Sequence, residues 1–293
     1  MLFRSLAAQF NRPGLDLVDH YTYVFMGDGC MMEGLSHEVC SFAGTLGLGK
    51  LIAFYDDNGI SIDSEKGPMS YWFTDDVPKR FAAYGWQVIP NVDGHDVDAV
   101  DRAIRKARRE KSRPTLIGCK TVIAKGSPKK ANTGAAHGSP LGAEEVAATR
   151  AVIGWPYPPF EIPEQVRETW DARAAGKRAE RRWNRLFSSY DKQFPAEATE
   201  FRRRVSGRLP EHLQEKFRDL LEEMNRKAET IATRKASQNV LEAIIPALPE
   251  LLGGSADLTG SNLTMVKASK AVAPGAVSGN HIFYGVRDRK SVV

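Results

Sequence analysis

Two short stretches hold the residue types that could do chemistry. "FMGDGCMMEG", Phe25 to Gly34, sets Asp28 between Gly27 and Gly29. "YDDNGIS", Tyr55 to Ser61, supplies Asn58 about thirty residues later. A carboxylate and an amide oxygen are hard ligands, and a nearby backbone carbonyl makes a third. Mg²⁺ takes roughly six oxygens at about 2.0–2.1 Å and leaves several places to water and phosphate. The two glycines let the backbone turn tightly and approach a phosphate closely. The start of the next helix adds free N–H groups and a positive dipole end. Together these make a site for a magnesium diphosphate. Gly-Asp-Gly alone is a common turn, and Asn58-Gly59 alone is a common hairpin turn. The informative signal is the pair at this spacing.

Both residues must sit where strands end. "YTYVFM", Tyr21 to Met26, and "LIAFYD", Leu51 to Asp56, are short runs rich in β-branched and aromatic residues, as buried strands are. Between them Met32, Leu35, Val39, Phe42 and Leu46 recur at steps of three or four, which is helical spacing and predicts one helix over 31–46. Strand, helix, strand over this length is a βαβ unit with parallel strands and a right-handed crossover. Ligands of an open parallel sheet lie beyond the carboxyl ends of its strands. The crossover therefore excludes the hairpin and lets Asp28 and Asn58 meet.

The alternation continues. "TDDVPKRFAAYGW" reads as a helix capped by Thr74. "WQVIPNV" reads as a strand, and "DVDAVDRAIRKARREK" as a helix running from acidic to basic, which suits its dipole. "TLIGCKTVI" is another strand. The fold class is α/β: a doubly wound parallel sheet, then a long linker, then the start of a second α/β domain. The first segment, "MLFRSLAAQFNRPG", reads as an amphipathic helix with Leu2, Leu6 and Phe10 on one face, stopped by Pro13-Gly14. After Gly154 the Pro-rich "WPYPPFEIPEQV" reads as extended. A helix and then "ELLGGSADLTGSN" begin a new pattern from Thr230.

The bulk numbers exclude several classes. A length of 293 residues suits about two domains. The net charge of +5 is that of an ordinary solvated surface. The basic run "RAAGKRAERRWNR" lies within 161–229, where sixteen Lys/Arg meet fourteen Asp/Glu. That near-cancellation argues for a solvated linker helix and against nucleic-acid binding. Cys30, Cys40 and Cys119 form neither a disulfide framework nor a C-x-x-C pair, and are expected to be buried free thiols. "SHEVC" has Ser41 where a zinc-protease helix needs a second histidine. No apolar run approaches membrane-spanning length, and no signal peptide is evident. The sequence reads as cytoplasmic and soluble, with no membrane partner.

At the level of whole segments the sequence resembles bacterial transketolases. The likeness runs through "YTYVFMGDGCMMEGLSHEVCSFAGTLGLGKLIAFYDDNGISID", "WFTDDVPKRFAAYGW", "AHGSPLG", "PFEIP", "TRKASQNVLEA" and "LLGGSADLTGSNLT", in order along the chain. The resemblance implies a thiamine-diphosphate-dependent enzyme that moves a two-carbon ketol unit between sugar phosphates in the pentose phosphate pathway, as a homodimer. It implies Mg²⁺, with Ca²⁺ or Mn²⁺ as substitutes. By that resemblance Asp28, Asn58 and the Ile60 carbonyl hold the metal, and Gly29 and Asn58 hold the diphosphate. His137 contacts both cofactor and substrate and moves a proton, although a lone loop histidine is ordinarily a surface residue. Arg234 and Ser261 hold the substrate phosphate from across the dimer interface. Residues 1–195 would be the C-terminal part of the diphosphate-binding domain, 196–229 a helical linker, and 230–293 the beginning of the pyrimidine-binding domain.

The sequence also departs from that family. It is expected to be an internal piece of less than half the family's length, without the upstream glycine-rich loop and histidines. Asp288 stands where the family carries a catalytic glutamate, and Phe283 where it usually carries histidine. The ending "RKSVV" does not fit, as a truncated or frame-shifted reading would not. Alone, such a piece is expected to be loosely folded or aggregated and inactive. Three other readings stand beside this one: a related thiamine-diphosphate synthase, a non-catalytic piece with weak magnesium-diphosphate binding, and, most remotely, a nucleic-acid-binding module.

Overall fold

The computed structural model describes residues 2–65 and 68–288; the closing "KSVV" and Arg289 lie outside them. It divides into two compact units, His20–Arg178 and Met1–Asp19 with Ala179–Val293.

Helix α1 (Leu2–Phe10) belongs to the second of these. It ends before Pro13, and Gly14 turns the chain at φ +75°. Phe10 is buried there.

The unit His20–Arg178 is built on β1 (Thr22–Gly27), α2 (Asp28–Met32), α3 (Gly34–Thr45), β2 (Leu51–Asp57), α4 (Val77–Ala83), β3 (Gln87–Asp93), α5 (Val97–Arg109) and β4 (Thr115–Lys120). The four strands pair in the order β1-β2-β4-β3, all parallel. In β2 the run Ile52 to Tyr55 is buried on both faces, which is why it reads as continuously apolar rather than alternating. Ala53, Tyr55 and Leu116 pack with Met31, Cys40, Ala43, Phe81 and Trp86 on the α3/α4 side. Ile52, Phe54, Ile117 and Cys119 pack with Ala103 and Ala107 of α5 on the other. Helices on both faces make the sheet doubly wound, as expected. Each fully buried Leu or Ile in these layers contributes about 1.5–3 kcal/mol.

Three details differ from the sequence reading. The helix expected over 31–46 is two helices, broken where Glu33 takes extended backbone at φ −68°, ψ 129°. The apolar face that the spacing marks is largely outside: Met32, Leu35 and Val39 are exposed, while Met31, Cys40 and Ala43 face the sheet. Cα of Gly44 lies so near the Tyr84 carbonyl that an added Cβ would stand 1.8 Å from its oxygen. This close approach turns the Cys40–Ala43–Gly44 side inward instead. Third, α4 is capped by Asp76, whose carboxylate accepts from the Lys79 N–H at 3.0 Å, and not by Thr74. Pro78 at the second helical position moves the start past Thr74. Cys40 and Cys119 are buried free thiols, but Cys30 is exposed.

After α6 (Ala143–Val152) and α7 (Glu164–Trp170) come α8 (Arg173–Gln193), α9 (Pro195–Val205), α10 (Leu213–Lys227) and α11 (Thr233–Ile244). Residues 155–163 are irregular, as the prolines require. The charged part of α8, 173–185, is solvent-exposed, but its end is not: Tyr190 is fully buried beside Phe10, Leu17, Ala198 and Phe201. The Trp183 indole donates to the Leu17 carbonyl at 3.0 Å. Then follow β5 (Gly253–Ser255), α12 (Thr259–Asn262), β6 (Ala271–Val272) and β7 (His281–Phe283), with a small parallel sheet in the order β5-β7-β6. Among the described residues no helix is long and apolar enough to cross a membrane.

Candidate functional site

β1 and β2 run in register, with Met26 beside Tyr55 and Gly27 beside Asp56. Their carboxyl ends therefore finish together. Asp28 is the first residue of α2 and is 5% exposed. Its Oδ1 accepts from the Tyr55 hydroxyl at 2.6 Å. Its Oδ2 accepts from the Gly59 N–H at 2.9 Å. The second of these bonds ties the end of β1 to the loop after β2 through Gly59, the neighbour of Asn58, rather than through the Asn58 side chain itself. Gly59 makes it at φ +69°, a conformation that suits glycine. Next to it the Ile60 N–H donates to Asn58 Oδ1 at 2.9 Å, which fixes the asparagine side chain. Among the described residues the Ile60 carbonyl accepts no hydrogen bond.

Burying a carboxylate is costly unless it is paired or hydrogen-bonded. Asp28 has two donors, both neutral, and among the described residues no ion pair. A cation placed there would complete its compensation. The donor set is one carboxylate, one amide and one carbonyl, with the remaining places open to water or phosphate, as Mg²⁺ takes them. No group of three or more His, Cys, Asp or Glu side chains forms a metal cage among the described residues. An added Cβ at Gly27 or Gly29 would meet nothing within 4 Å, so both border open space. Gly27 is not a tight turn, however: at φ −97° it ends β1 and directly precedes α2. The helix also starts three residues earlier than expected and has one and a half turns, so its dipole is smaller than a long helix would offer.

Two residues of this site escaped the sequence reading. Tyr55 reaches Asp28 only through the strand register. Burial pushes its phenol up, and the bond to Asp28 pushes it further, so the hydroxyl stays a donor. Arg80 holds the end of α2: it donates to the Met31 carbonyl at 2.8 Å, to Asp75 at 2.7 Å and to His37 at 3.0 Å. His37 also contacts the Tyr84 hydroxyl at 3.1 Å. Nothing in the sequence pairs Arg80 with His37 or Met31, which lie more than forty residues away, so no signal could have found it.

His137 lies in the same unit. It is exposed and follows the single turn Gly134–Ala136, whose Gly134 accepts its N–H at 2.9 Å. Gly134 packs so close to the turn Ile62–Glu65 that an added Cβ would sit 2.7 Å from Glu65 Cγ and 3.2 Å from the Ile62 carbonyl. The loop of His137 is thus seated on the turn that follows Asn58 and Ile60. Arg234, exposed in the first turn of α11, and Ser261, exposed in α12, belong to the other compact unit. Asp288 is exposed as well.

Residues 1–210 match the family profile described as transketolase, thiamine diphosphate binding domain. The chain belongs to the transketolase family. It is 57% identical to transketolase 1 of Vibrio cholerae over 285 residues, 97% of this chain and 42% of that protein. It is 60% identical to the plasmid transketolase of Cupriavidus necator, again over 97% of this chain and 42% of the relative. Among solved structures it resembles transketolase from Leishmania mexicana, with a TM-score of 0.85 and 38% identity over 98% of this chain and 42% of that one. It also resembles Pichia stipitis transketolase in complex with sedoheptulose-7-phosphate, with a TM-score of 0.86 and 39% identity over the same shares. The chain therefore spans about two-fifths of the length of these transketolases. Its matched portion is a thiamine-diphosphate-binding domain with a doubly wound α/β sheet.

Proposed function

We propose that this chain supplies the metal and diphosphate grip of a transketolase acting on sugar phosphates in the pentose phosphate pathway. Asp28, Asn58 and the Ile60 carbonyl hold Mg²⁺, for which Ca²⁺ or Mn²⁺ substitutes, and Gly29 with Asn58 borders the diphosphate. Bound thiamine diphosphate supplies a carbon nucleophile and an electron sink for breaking the bond beside a ketose carbonyl. The residues of this chain bind and orient. His137 holds or moves a proton at a substrate hydroxyl, a suitable task for an imidazole. Arg234 offers paired donors to the substrate phosphate and Ser261 adds a hydroxyl, acting across a homodimer interface. Residues 1–195 serve as part of the diphosphate-binding domain, 196–229 as linker and 230–293 as the start of the pyrimidine-binding domain. The setting is cytoplasmic.

One observation carries this reading. Asp28 is buried, bonded among the described residues only to neutral donors, and tied to the Asn58 loop through Gly59. That is the environment a bound cation completes.

The test is turnover in a protein of the relatives' length carrying this sequence. Ribose 5-phosphate as acceptor should be used in preference to formaldehyde or pyruvate. Preference for either of those would instead assign a related thiamine-diphosphate synthase. The 293-residue chain by itself should bind magnesium and thiamine diphosphate weakly and show no turnover; sugar-phosphate turnover by the chain alone would contradict that.

A further inference from the structure

The opposite end of β1 carries a different feature. Tyr21 precedes the strand and Asp28 follows it, so a strand of six residues, about 20 Å, separates the two. Around Tyr21 a surface hollow of about 360 Å³ is lined by Arg105, Arg108, Arg109 and Lys111. Among the described residues no carboxylate lines it.

The basic residues in the last turn of α5 suit the helix dipole. Arg105 is occupied by Asp101 at 2.6 Å. Those facts account for single charges and not for their convergence. Lys111 lies beyond the helix and Tyr21 comes from another element. Yet the Lys111 ammonium donates to the Tyr21 hydroxyl. The Arg108 guanidinium lies 5.0 Å from the Tyr21 ring centroid, as does the Lys111 ammonium. The Tyr21 hydroxyl in turn donates to the Arg108 carbonyl at 2.9 Å. Among the described residues Arg108, Arg109 and Lys111 form no ion pair. Like charges held this closely repel one another, and a shared anion relieves the repulsion. The Lys111 hydrogen bond holds the Tyr21 phenol below the usual tyrosine range, against the effect of burial. The local field is therefore positive.

We propose that the hollow around Tyr21 is a binding site for a compact anion carrying two or more phosphate groups. Arg108 and Arg109 offer forked donors to phosphate oxygens, Lys111 a point charge, and the Tyr21 ring orders the cations by lying beneath them. The clustered cations suit a small polyphosphate or a sugar bisphosphate, two sources of one chemistry. The site is separate from the magnesium site and does not depend on it.

Calorimetric titration of the 293-residue chain with sodium tripolyphosphate, in EDTA to silence any metal-dependent binding, tests the proposal. Saturable binding is expected, and Arg108→Gln with Lys111→Gln should weaken it about fivefold or more. Fructose 1,6-bisphosphate in a parallel arm distinguishes a sugar source from a polyphosphate source. A lack of saturable binding of both probes, or a loss below about fivefold in the double variant, overturns the proposal. Affinity that grows with the length of a single-stranded oligonucleotide overturns it too, in favour of a nucleic-acid surface. A second readout needs no variant: tripolyphosphate should slow acylation of Lys111, read by mass spectrometry, and an unchanged rate contradicts the site.

Discussion

Two carboxylates in this molecule are compensated in opposite ways. In the unit that includes α9, Glu200 receives Arg203 at 2.6 Å and Arg204 at 2.7 Å. The same Arg203 reaches Glu250 at 2.8 Å, and Arg204 is completed by Gln9 at 2.6 Å. Every charge there has an opposite charge in contact. At the end of β1, Asp28 is more deeply buried and has a hydroxyl and an amide for partners. The first arrangement is finished within the protein. The second has only neutral donors among the described residues, and that difference is what supports the proposed magnesium site.

The contrast can be broken at either end. Asp28→Ala should lower Mg²⁺-dependent affinity for thiamine diphosphate about 100-fold or more, because a metal ligand outweighs the 10–100-fold typical of an outer partner. The same change should leave thermal stability unchanged or raised, since it removes a buried charge without a counter-charge. Calorimetry and thermal melts read the two effects separately. Arg203→Ala should do the reverse. It strands Glu250, leaves Glu200 with Arg204 alone, and should destabilise the fold by about 2 kcal/mol, visible in urea melts, with cofactor affinity unchanged.

Tyr55→Phe sharpens the comparison. It keeps the packing and removes the donor to Asp28 Oδ1, so metal-dependent cofactor affinity should fall about tenfold. An equal loss of metal-free affinity would instead mark a packing role.

The smallest effect is on pH. The Arg203 hydrogen bonds lower the Glu200 carboxyl. At Glu250 burial acts upward, but Arg203 outweighs it and the carboxyl is again lowered. A folded pKa below the unfolded one stabilises above the unfolded value and is lost as pH falls through the folded one. Acid melts should therefore lose stability from about pH 4.5 downward, and Arg203→Ala should flatten that slope.

Sequence showed one side of this contrast better than the other. Asp28 and Asn58 are legible because a strand end finishing in Asp or Asn stands out against an apolar run. The parallel order of β1 and β2 follows from the crossover length. Tyr55 was not legible, because one strand's pattern does not say which neighbour lies across the register. The break at Glu33 was hidden for a similar reason: apolar spacing continues through it, and Arg80, nearly fifty residues away, takes the Met31 carbonyl. Periodicity found an apolar face at Met32, Leu35 and Val39 but not which face the sheet would cover. The Arg203 network was read only as a near-neutral charge balance, since pairing at α9 depends on Glu250 far along the chain.

The most direct measurement is the dissociation constant of thiamine diphosphate for this chain with Mg²⁺ and with EDTA, before and after Asn58→Ala. If consecutive strand ends grip one ion and one diphosphate, Mg²⁺ should tighten binding and Asn58→Ala should abolish most of that gain. Equal affinity with and without the metal, or a metal effect that survives Asn58→Ala, would contradict the account.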